Sequence, residues 1–257
     1  MKLTAKPEEI QRRITLALVL EPLADKPGCT TRYVDLSPEH KLVDFETAAV
    51  NAAPYFGELA RRIQRTKTQP PFYDLCYQAL AGSTKNLKNE KYLNFGLLEV
   101  LFPLVLAEQI YGGKGAVVCR NVIKVLKQSG PKDLVYKDLT RNLAWSTSRN
   151  RAKQELQQLK LQIQTSSLYD EYLRNIPDRR AAGLKTSVLW LEQFVLGLPV
   201  LQAMYGSAKK RVGKAGLIAA MELAYKVGMK KIPKRGIIAD YCAAVAYLLL
   251  ADPKTKI

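Results

Sequence analysis

The chain has 257 residues and carries 40 Lys and Arg against 23 Asp and Glu, which gives a formal net charge of +17. Hydrophobic residues make up 47% and charged residues 25%, a balance that supports a substantial core and excludes disorder for most of the chain. The best apolar stretches, at 95–107 and 237–251, are shorter than the roughly 20 residues of a membrane span and contain Glu99 and Asp240. No apolar block with a cleavage site follows the charged N-terminus, so we expect a cytoplasmic protein with no membrane partner.

Apolar residues recur at spacings of three and four through most of the chain, and strict alternation is scarce. This pattern predicts helices almost throughout, separated by clusters of Pro and Gly. Pro103 predicts a kink or a break inside the helix that contains it. In chain order, the predicted helices cover 8–20, 44–65, 72–81, 95–111, 115–128, 133–145, 148–165, 166–175, 185–205, 213–228 and 236–251.

Two of these helices, at 95–111 and 236–251, are apolar on nearly every side. A helix of this kind is buried, and burial on all sides requires other helices packed around it. We therefore predict an all-α fold, a single multi-helix bundle with these two helices at its centre. The predicted bundle forms one domain over residues 1–257.

The cysteines and the one histidine give no sign of a metal or hydrolase site. The four cysteines lie far apart, and Cys76, Cys119 and Cys242 stand among apolar residues, which favours plain buried thiols over a disulfide or a metal role. His40 lies in a polar stretch that lacks the partners of a zinc site or of a histidine-dependent nucleophile. We interpret it as a loop residue.

The longest irregular segment covers residues 22–43. A segment of this length without regular structure is uncommon in a compact domain and is more often functional than idle. Lys26 and Arg32 suit phosphate binding, and Gly28 lets the backbone approach a ligand. A surface crossover of ordinary polarity would have a similar composition, so both interpretations stay open.

Four segments of the chain resemble motifs of a known family. They are Glu21 with Lys26-Pro27-Gly28, Arg32, Asp35 and Asp44-Phe45; Asn94-Phe95-Gly96-Leu97-Leu98; Lys210-Arg211-Val212-Gly213; and Arg235-Gly236-Ile237-Ile238-Ala239-Asp240. In this order they resemble the motifs of the triphosphoribosyl-dephospho-CoA synthase family and span nearly the whole chain. Members are all-helical enzymes that join the triphosphoribosyl part of ATP to dephospho-CoA and release adenine. The resemblance therefore implies a pentosyltransferase that uses ATP and a CoA-like or other nucleotide acceptor.

The chain also departs from these motifs. Ile237 and Ile238 stand where the family has two threonines, and Arg235 stands in place of a proline. Tyr92 and Leu93 replace an Asn and a Thr. Because polar groups have become apolar, a second hypothesis is a catalytically degenerate family member that acts as a nucleotide- or nucleic-acid-binding protein.

The resemblance implies roles for the matched residues. Displacement of adenine develops positive charge on the ribose, which a carboxylate stabilises, and the attacking hydroxyl needs a general base. Glu21 and Asp240 are the candidate catalytic residues. The triphosphate calls for cations and Mg²⁺. The candidates for binding substrate and phosphate are Lys26, Gly28, Arg32, Asn94, Gly96, Lys210, Arg211 and Gly236, and those for Mg²⁺ are Glu21, Asp35, Asp44 and Asp240.

Structural roles would also account for several of these residues. Asp240, Asn94 and Asp44 could cap helices. Ordinary loop polarity would suffice for Asp35, and the glycines could serve turns or helix packing.

The basic surplus is concentrated in part at 207–235, which holds nine Lys and Arg and, as its one acid, Glu222. Such a segment suits the phosphates of ATP and of a CoA-like ligand, or a nucleic acid, which is the less favoured partner. The segment 149–164 is rich in Arg, Lys and Gln, which is typical of a solvated helix face and also suits a partner surface.

Overall fold

The computed structural model describes residues 4–35, 41–66, 68–85, 87, 92–145 and 167–253. These residues are mostly helical, and their one pairing of extended backbone is an isolated bridge between Thr31 and Val34. The predicted all-α fold is confirmed. The helices are α1 (Pro7–Leu20), α2 (Leu42–Ala52), α3 (Pro54–Arg65), α4 (Tyr73–Ser83), α5 (Phe95–Tyr111), α6 (Ala116–Lys127), α7 (Pro131–Trp145), α8 (Leu168–Ala181), α9 (Lys185–Val195), α10 (Pro199–Lys231) and α11 (Arg235–Ala251).

Helices α5 and α11 lie against each other in the core, as their all-round apolar character predicts. Every residue of α5 at 97–109 and every residue of α11 at 241–250 is buried. Helix α5 also packs on α3, α4 and α6, and α11 also packs on α1 and α10. The thiols of Cys76, Cys119 and Cys242 are buried in this core, as expected.

Helix α5 continues through Pro103. The predicted break does not occur, because tertiary packing of an apolar helix can outweigh the backbone hydrogen bond that a proline removes. In the described residues, no single helix has the length and apolar composition of a membrane span; two bent pairs, α5 with α6 and α9 with α10, pass only when taken together.

Two predicted helices are divided in the structure. The predicted helix 44–65 separates into α2 and α3 at Pro54, which begins α3 and has no N–H to continue the helical hydrogen bonding. The predicted helix 185–205 separates into α9 and α10, because Leu198 has a φ of 57° and Pro199 then begins the next helix.

Helix α10 joins the end of the predicted helix 185–205 to the predicted helix 213–228 and continues to Lys231. It consists of two arms on either side of Gly216, whose φ of 78° and ψ of 174° are not helical. The arms pack together, since a Cβ on Gly228 in the second arm would lie 2.7 Å from Met204 Sδ in the first. The predicted helix at 148–165, its basic segment 149–164, and His40 lie outside the described residues.

Candidate functional site

A cavity of about 860 Å³ lies where the N-terminal ends of three helices meet. Helix α5 contributes Phe95 and Gly96, α9 and its preceding turn contribute residues 183–187, and α11 with the residue before it contributes residues 234–237. This volume falls within the range of about 300–1,000 Å³ typical of small-molecule sites. The fold therefore provides room for a nucleotide-sized ligand.

The three helix ends direct unpaired backbone N–H groups towards this region. In the described part of the chain, no side chain caps the N-terminus of α5, α9 or α11. The first hydrogen bonds of the three helices are donated by the N–H groups of Leu98, Val188 and Ile238. The N–H groups of the preceding turn in each helix thus lack a partner within the helix, although the Lys185 N–H of α9 donates to the Gly183 carbonyl at 2.9 Å. Such helix ends bind anions, phosphate in particular.

Five cationic side chains line the same cavity: Arg141 from α7, Arg179 from α8, Lys185 from α9, and Lys234 and Arg235 at the start of α11. Arg179 donates to Ser187 Oγ at 2.5 Å. Burial is the largest single influence on Arg141 and disfavours its charge, but Glu99, Tyr172, Tyr73 and Glu171 together outweigh it, so the pKa of Arg141 is raised. Within the described part of the chain, Lys185, Lys234 and Arg235 have no acidic partner. The cavity therefore carries an excess of positive charge.

Asp240 and Glu99 are the two acids that line the cavity. Asp240 lies in the second turn of α11, too far along the helix to be its N-cap, which is Lys234. No described residue donates a hydrogen bond to its carboxyl. Burial, with smaller contributions from Glu21 and Glu99, raises the pKa of Asp240 well above its usual range.

Gly96 allows α5 to approach this carboxyl closely. A Cβ at Gly96 would lie 2.8 Å from Asp240 Cγ and 3.3 Å from its Oδ1, in addition to a closer contact with Oδ2. The missing side chain is thus required for the observed packing of α5 on α11. Two motifs that are distant in sequence meet here.

Glu99 is held by two donors, in contrast to Asp240. Trp190 Nε1 donates to one carboxylate oxygen at 3.0 Å, and Arg141 Nε donates to the other at 3.3 Å. The Trp190 ring stacks on Tyr241, with ring centroids 6.0 Å apart. The sequence candidates did not include Glu99, Arg141 or Trp190. The sequence did carry a signal for Glu99, which is an acid within an otherwise apolar helix.

Glu21 and Lys26 form a buried ion pair in the loop that follows α1. Their residues are 5% and 1% exposed, and Lys26 Nζ lies 3.0 Å from Glu21 Oε1. Lys26 also donates to the backbone carbonyl of Glu21. Burial raises the pKa of Glu21 and the adjacent ammonium opposes this rise. Neither residue lines the cavity, but Glu21 is close enough to Asp240 to influence its pKa.

Asn94 directly precedes α5 and is only 1% exposed. Its side chain does not cap the helix, and neither its amide oxygen nor its amide nitrogen has a hydrogen-bond partner among the described residues. Buried amides are normally hydrogen-bonded, so this side chain lacks a structural explanation. Gly236, another candidate, lines the cavity directly.

The other candidates lie apart from the cavity lining. Arg32 is exposed, with its guanidinium 4.6 Å from the centroid of the Tyr33 ring. Asp35 accepts a hydrogen bond from the Leu42 N–H at 2.9 Å, and Asp44 lies in the first turn of α2. Lys210 and Arg211 are exposed on α10 and do not line the cavity.

The described residues include no group of three or more His, Cys, Asp or Glu side chains placed to hold a metal ion. Glu21 is paired with Lys26, and Asp35 with a backbone amide. A site for Mg²⁺ can still be made from one or two carboxylates together with substrate phosphates. Glu99 and Asp240 are the carboxylates in the cavity that fit this arrangement.

A sequence model of the ATP:dephospho-CoA triphosphoribosyl transferase family matches residues 7–222, which is most of the chain. The chain belongs to this family. Triphosphoribosyl transferases of this family move the triphosphoribosyl group of ATP to dephospho-CoA, so the resemblance read from the motifs is confirmed. Comparisons with curated proteins and with solved structures returned no match. The matched range includes Gly96, Glu99 and Arg141 but ends before α11, which supplies Asp240.

Proposed function

We propose that the cavity is the active site in which this chain transfers the triphosphoribosyl group of ATP to dephospho-CoA or a related nucleotide acceptor. A hydroxyl of the acceptor forms a C–O bond to the anomeric carbon of the ribose, and the C–N bond to adenine breaks. The hydroxyl proton passes to a base, and adenine leaves after taking up a proton. The observation that carries the proposal is the convergence of three uncapped helix N-termini and five cations on a cavity whose Asp240 carboxyl has no hydrogen-bond donor among the described residues.

The phosphate chain is the part of ATP that the cavity suits best. Backbone N–H groups at helix ends and Arg or Lys side chains are the usual donors to phosphate. Both kinds of donor line this cavity. Three of its cations, Lys185, Lys234 and Arg235, have no acidic partner among the described residues. The triphosphate would therefore bind to Lys185, Lys234 or Arg235 without first breaking an ion pair with any described residue.

Asp240 is the residue we assign to the reacting centre. Both oxygens of Glu99 already accept hydrogen bonds, whereas none of the described residues donates to Asp240. A free carboxylate stabilises the positive charge that develops on the ribose. When ionised, a carboxyl with a raised pKa is also a stronger base than an ordinary Asp carboxylate, which suits a general base that takes the hydroxyl proton. Glu21, behind it, acts through its charge on Asp240 and does not touch the cavity.

We assign Mg²⁺ to the phosphates of ATP together with Glu99 or Asp240. The ion would neutralise part of the phosphate charge when bound. The roles assigned to this chain's own residues do not depend on it. Asn94 stays a candidate donor or acceptor for a hydroxyl of the sugar, because both of its amide atoms lack partners in the described structure. It is 1% exposed and does not line the cavity, so such a contact requires a shift of the residues that cover it.

The test is an incubation of the full chain with ATP, Mg²⁺ and dephospho-CoA, followed by measurement of free adenine and of the coupled product by mass. We expect adenine and product in equal amounts. Asp240→Asn should lower kcat by about 10²-fold or more, the usual loss for a general base. Asp178→Asn, a change at an exposed acid of α8 outside the cavity lining, should leave kcat unchanged. Absence of adenine release with dephospho-CoA and with related nucleotide acceptors would refute the proposal.

A further inference from the structure

The open face of Gly28 is occupied by the side chain of Arg235. A Cβ at Gly28 would lie 2.6 Å from Arg235 Cζ and 2.9 Å from its Cδ, and still closer to Nη1. Gly28 also has a φ of +79°, a conformation that residues with a side chain rarely adopt. Any other residue at this position would have to displace the guanidinium.

Arg235 connects this contact to the cavity. It is the first residue of α11 and lines the cavity next to Gly236 and Ile237. Its side chain has no acidic partner in the described residues. A guanidinium presents five N–H donors in a rigid planar fork, and this geometry matches phosphate oxygens. The side chain therefore has donors available for a ligand in the cavity.

The loop that carries Gly28 is held in place by bonds of the three residues before it. Lys26 is held by Glu21, and the Pro27 carbonyl accepts a hydrogen bond from Tyr225 OH at 3.0 Å. Asp25 N–H donates to Glu222 Oε1 at 3.2 Å. These bonds tie the loop to the second arm of α10. The loop cannot retreat freely to make room for a side chain at residue 28.

We propose that Gly28 is a positioning residue that acts through Arg235: its missing side chain lets the guanidinium lie across the loop and reach a phosphate of the nucleotide in the cavity. The choice of ATP as the ligand rests on the proposed function. The sequence predicts that Gly28 lets the backbone approach a ligand closely. In this proposal the group that lies against Gly28 is the Arg235 side chain. Arg235 then makes the contact with the ligand.

Binding of ATP and of adenosine to the full chain, measured by calorimetry, separates this role from others. Arg235→Ala should weaken ATP binding by about 10- to 100-fold, the loss expected for hydrogen bonds to a charged group, and leave adenosine binding unchanged. Gly28→Ala should weaken ATP binding in the same direction, again with no effect on adenosine. The double variant should bind ATP no more weakly than Arg235→Ala alone, because both changes remove one contact.

Two matched variants control for strain and for charge. Gly112→Ala adds a side chain at a glycine whose φ is also positive, +65°, with no atom within 4 Å, and Lys231→Ala removes an exposed cation outside the cavity lining. Both should bind ATP as the wild type does. Full ATP affinity in Gly28→Ala, additive losses in the double variant, or an equal loss of adenosine binding would overturn the proposal. Adenine release by the wild type is a separate measurement, so failure of the proposed function is distinguishable from failure of this one.

Discussion

At the residue scale, the two carboxyl groups of the cavity have unequal surroundings. Trp190 donates a hydrogen bond to one carboxylate oxygen of Glu99 and Arg141 donates to the other, whereas no described residue donates to Asp240. Burial and two neighbouring acids raise the pKa of Asp240 well above its usual range. A partly buried acid with no hydrogen-bond donor among the described residues weakens the fold when it ionises, and its presence in a cavity is typical of functional sites.

This imbalance predicts that Asp240→Asn stabilises the protein at neutral pH while it lowers activity. The folded-state pKa of Asp240 is raised above the unfolded value, so the stability contributed by its proton is fully present below the unfolded pKa of about 3.9 and is lost as pH rises through the folded pKa. Asn cannot ionise and avoids this loss. Each pKa unit is worth about 1.4 kcal/mol, and each kcal/mol shifts Tm by roughly 2–4 °C in a chain of this size.

Thermal unfolding followed by circular dichroism between pH 4 and pH 8 measures the effect. The Tm of Asp240→Asn should exceed that of the wild type at pH 7, and the gap should close towards pH 4. Asp178→Asn should follow the wild type throughout. A Tm at pH 7 equal to or below that of the wild type would contradict the assigned environment of Asp240.

At the scale of elements, the site depends on how closely α5 and α11 approach. Both helices are buried, and their contact brings Gly96 against Asp240. The hydrophobic effect drives α5 and α11 together but does not by itself fix how the two helices are placed against each other. Close packing does so, and the missing side chain at Gly96 leaves the space that the Asp240 carboxyl occupies. Helix packing and site geometry are thus determined by the same contact.

Gly96→Ala should therefore lower kcat, because it displaces the Asp240 side chain. The added Cβ lies too close to the Asp240 carboxyl for the side chain to stay in place, and we expect a loss of about 10-fold or more in adenine release, since small misplacements of catalytic groups are costly. Gly206→Ala is the matched control, because Gly206 is a helical glycine with no atom within 4 Å. That variant should keep its activity and gain up to about 1 kcal/mol of stability from helix propensity. Equal kcat in both variants would show that the contact does not position Asp240.

The helices themselves were largely predictable from the sequence, because apolar periodicity reports the buried faces directly. The division of the helix predicted at 185–205 was not, since Leu198 adopts a positive φ that propensity does not anticipate for leucine. Its conformation is imposed by the tight turn between α9 and α10. Pro54 did carry a signal, and the structure uses it to begin α3.

The candidate site was predictable in part. The motif residues Gly96, Gly236 and Asp240 line the cavity. They were predictable because the motifs that contain them lie at the starts of two strongly apolar helices. Arg141 and Trp190 carry no local pattern. Their place in the site follows only from the fold, in which α7 packs on α4 and α9 packs on α6 and α8, so that both side chains reach Glu99 of α5. The roles assigned to Lys210 and Arg211 stay predictions, although both side chains are exposed away from the cavity lining.

At the scale of the whole molecule, the net charge of +17 acts on any anionic ligand that approaches. A field of one sign that is focused by a cavity raises the association rate of an oppositely charged ligand by about 10- to 10³-fold. Five cations and three helix N-termini provide such a focus at the cavity. The surplus charge thus assists ATP capture even where its residues do not touch the ligand.

This argument predicts a strong salt dependence for ATP and little for adenosine. Raising the ionic strength from about 0.01 M to 0.1 M shortens the screening length from about 30 Å to about 10 Å, so distant cations cease to attract the ligand. We expect the association rate constant of ATP, measured by stopped flow, to fall on the order of tenfold over this range, with a smaller change in the dissociation rate constant. Adenosine carries no phosphate and should associate at a nearly constant rate. Parallel salt dependence of the two ligands would mean that salt alters the protein itself, and an ATP rate independent of salt would mean that the surplus charge plays no part in substrate capture.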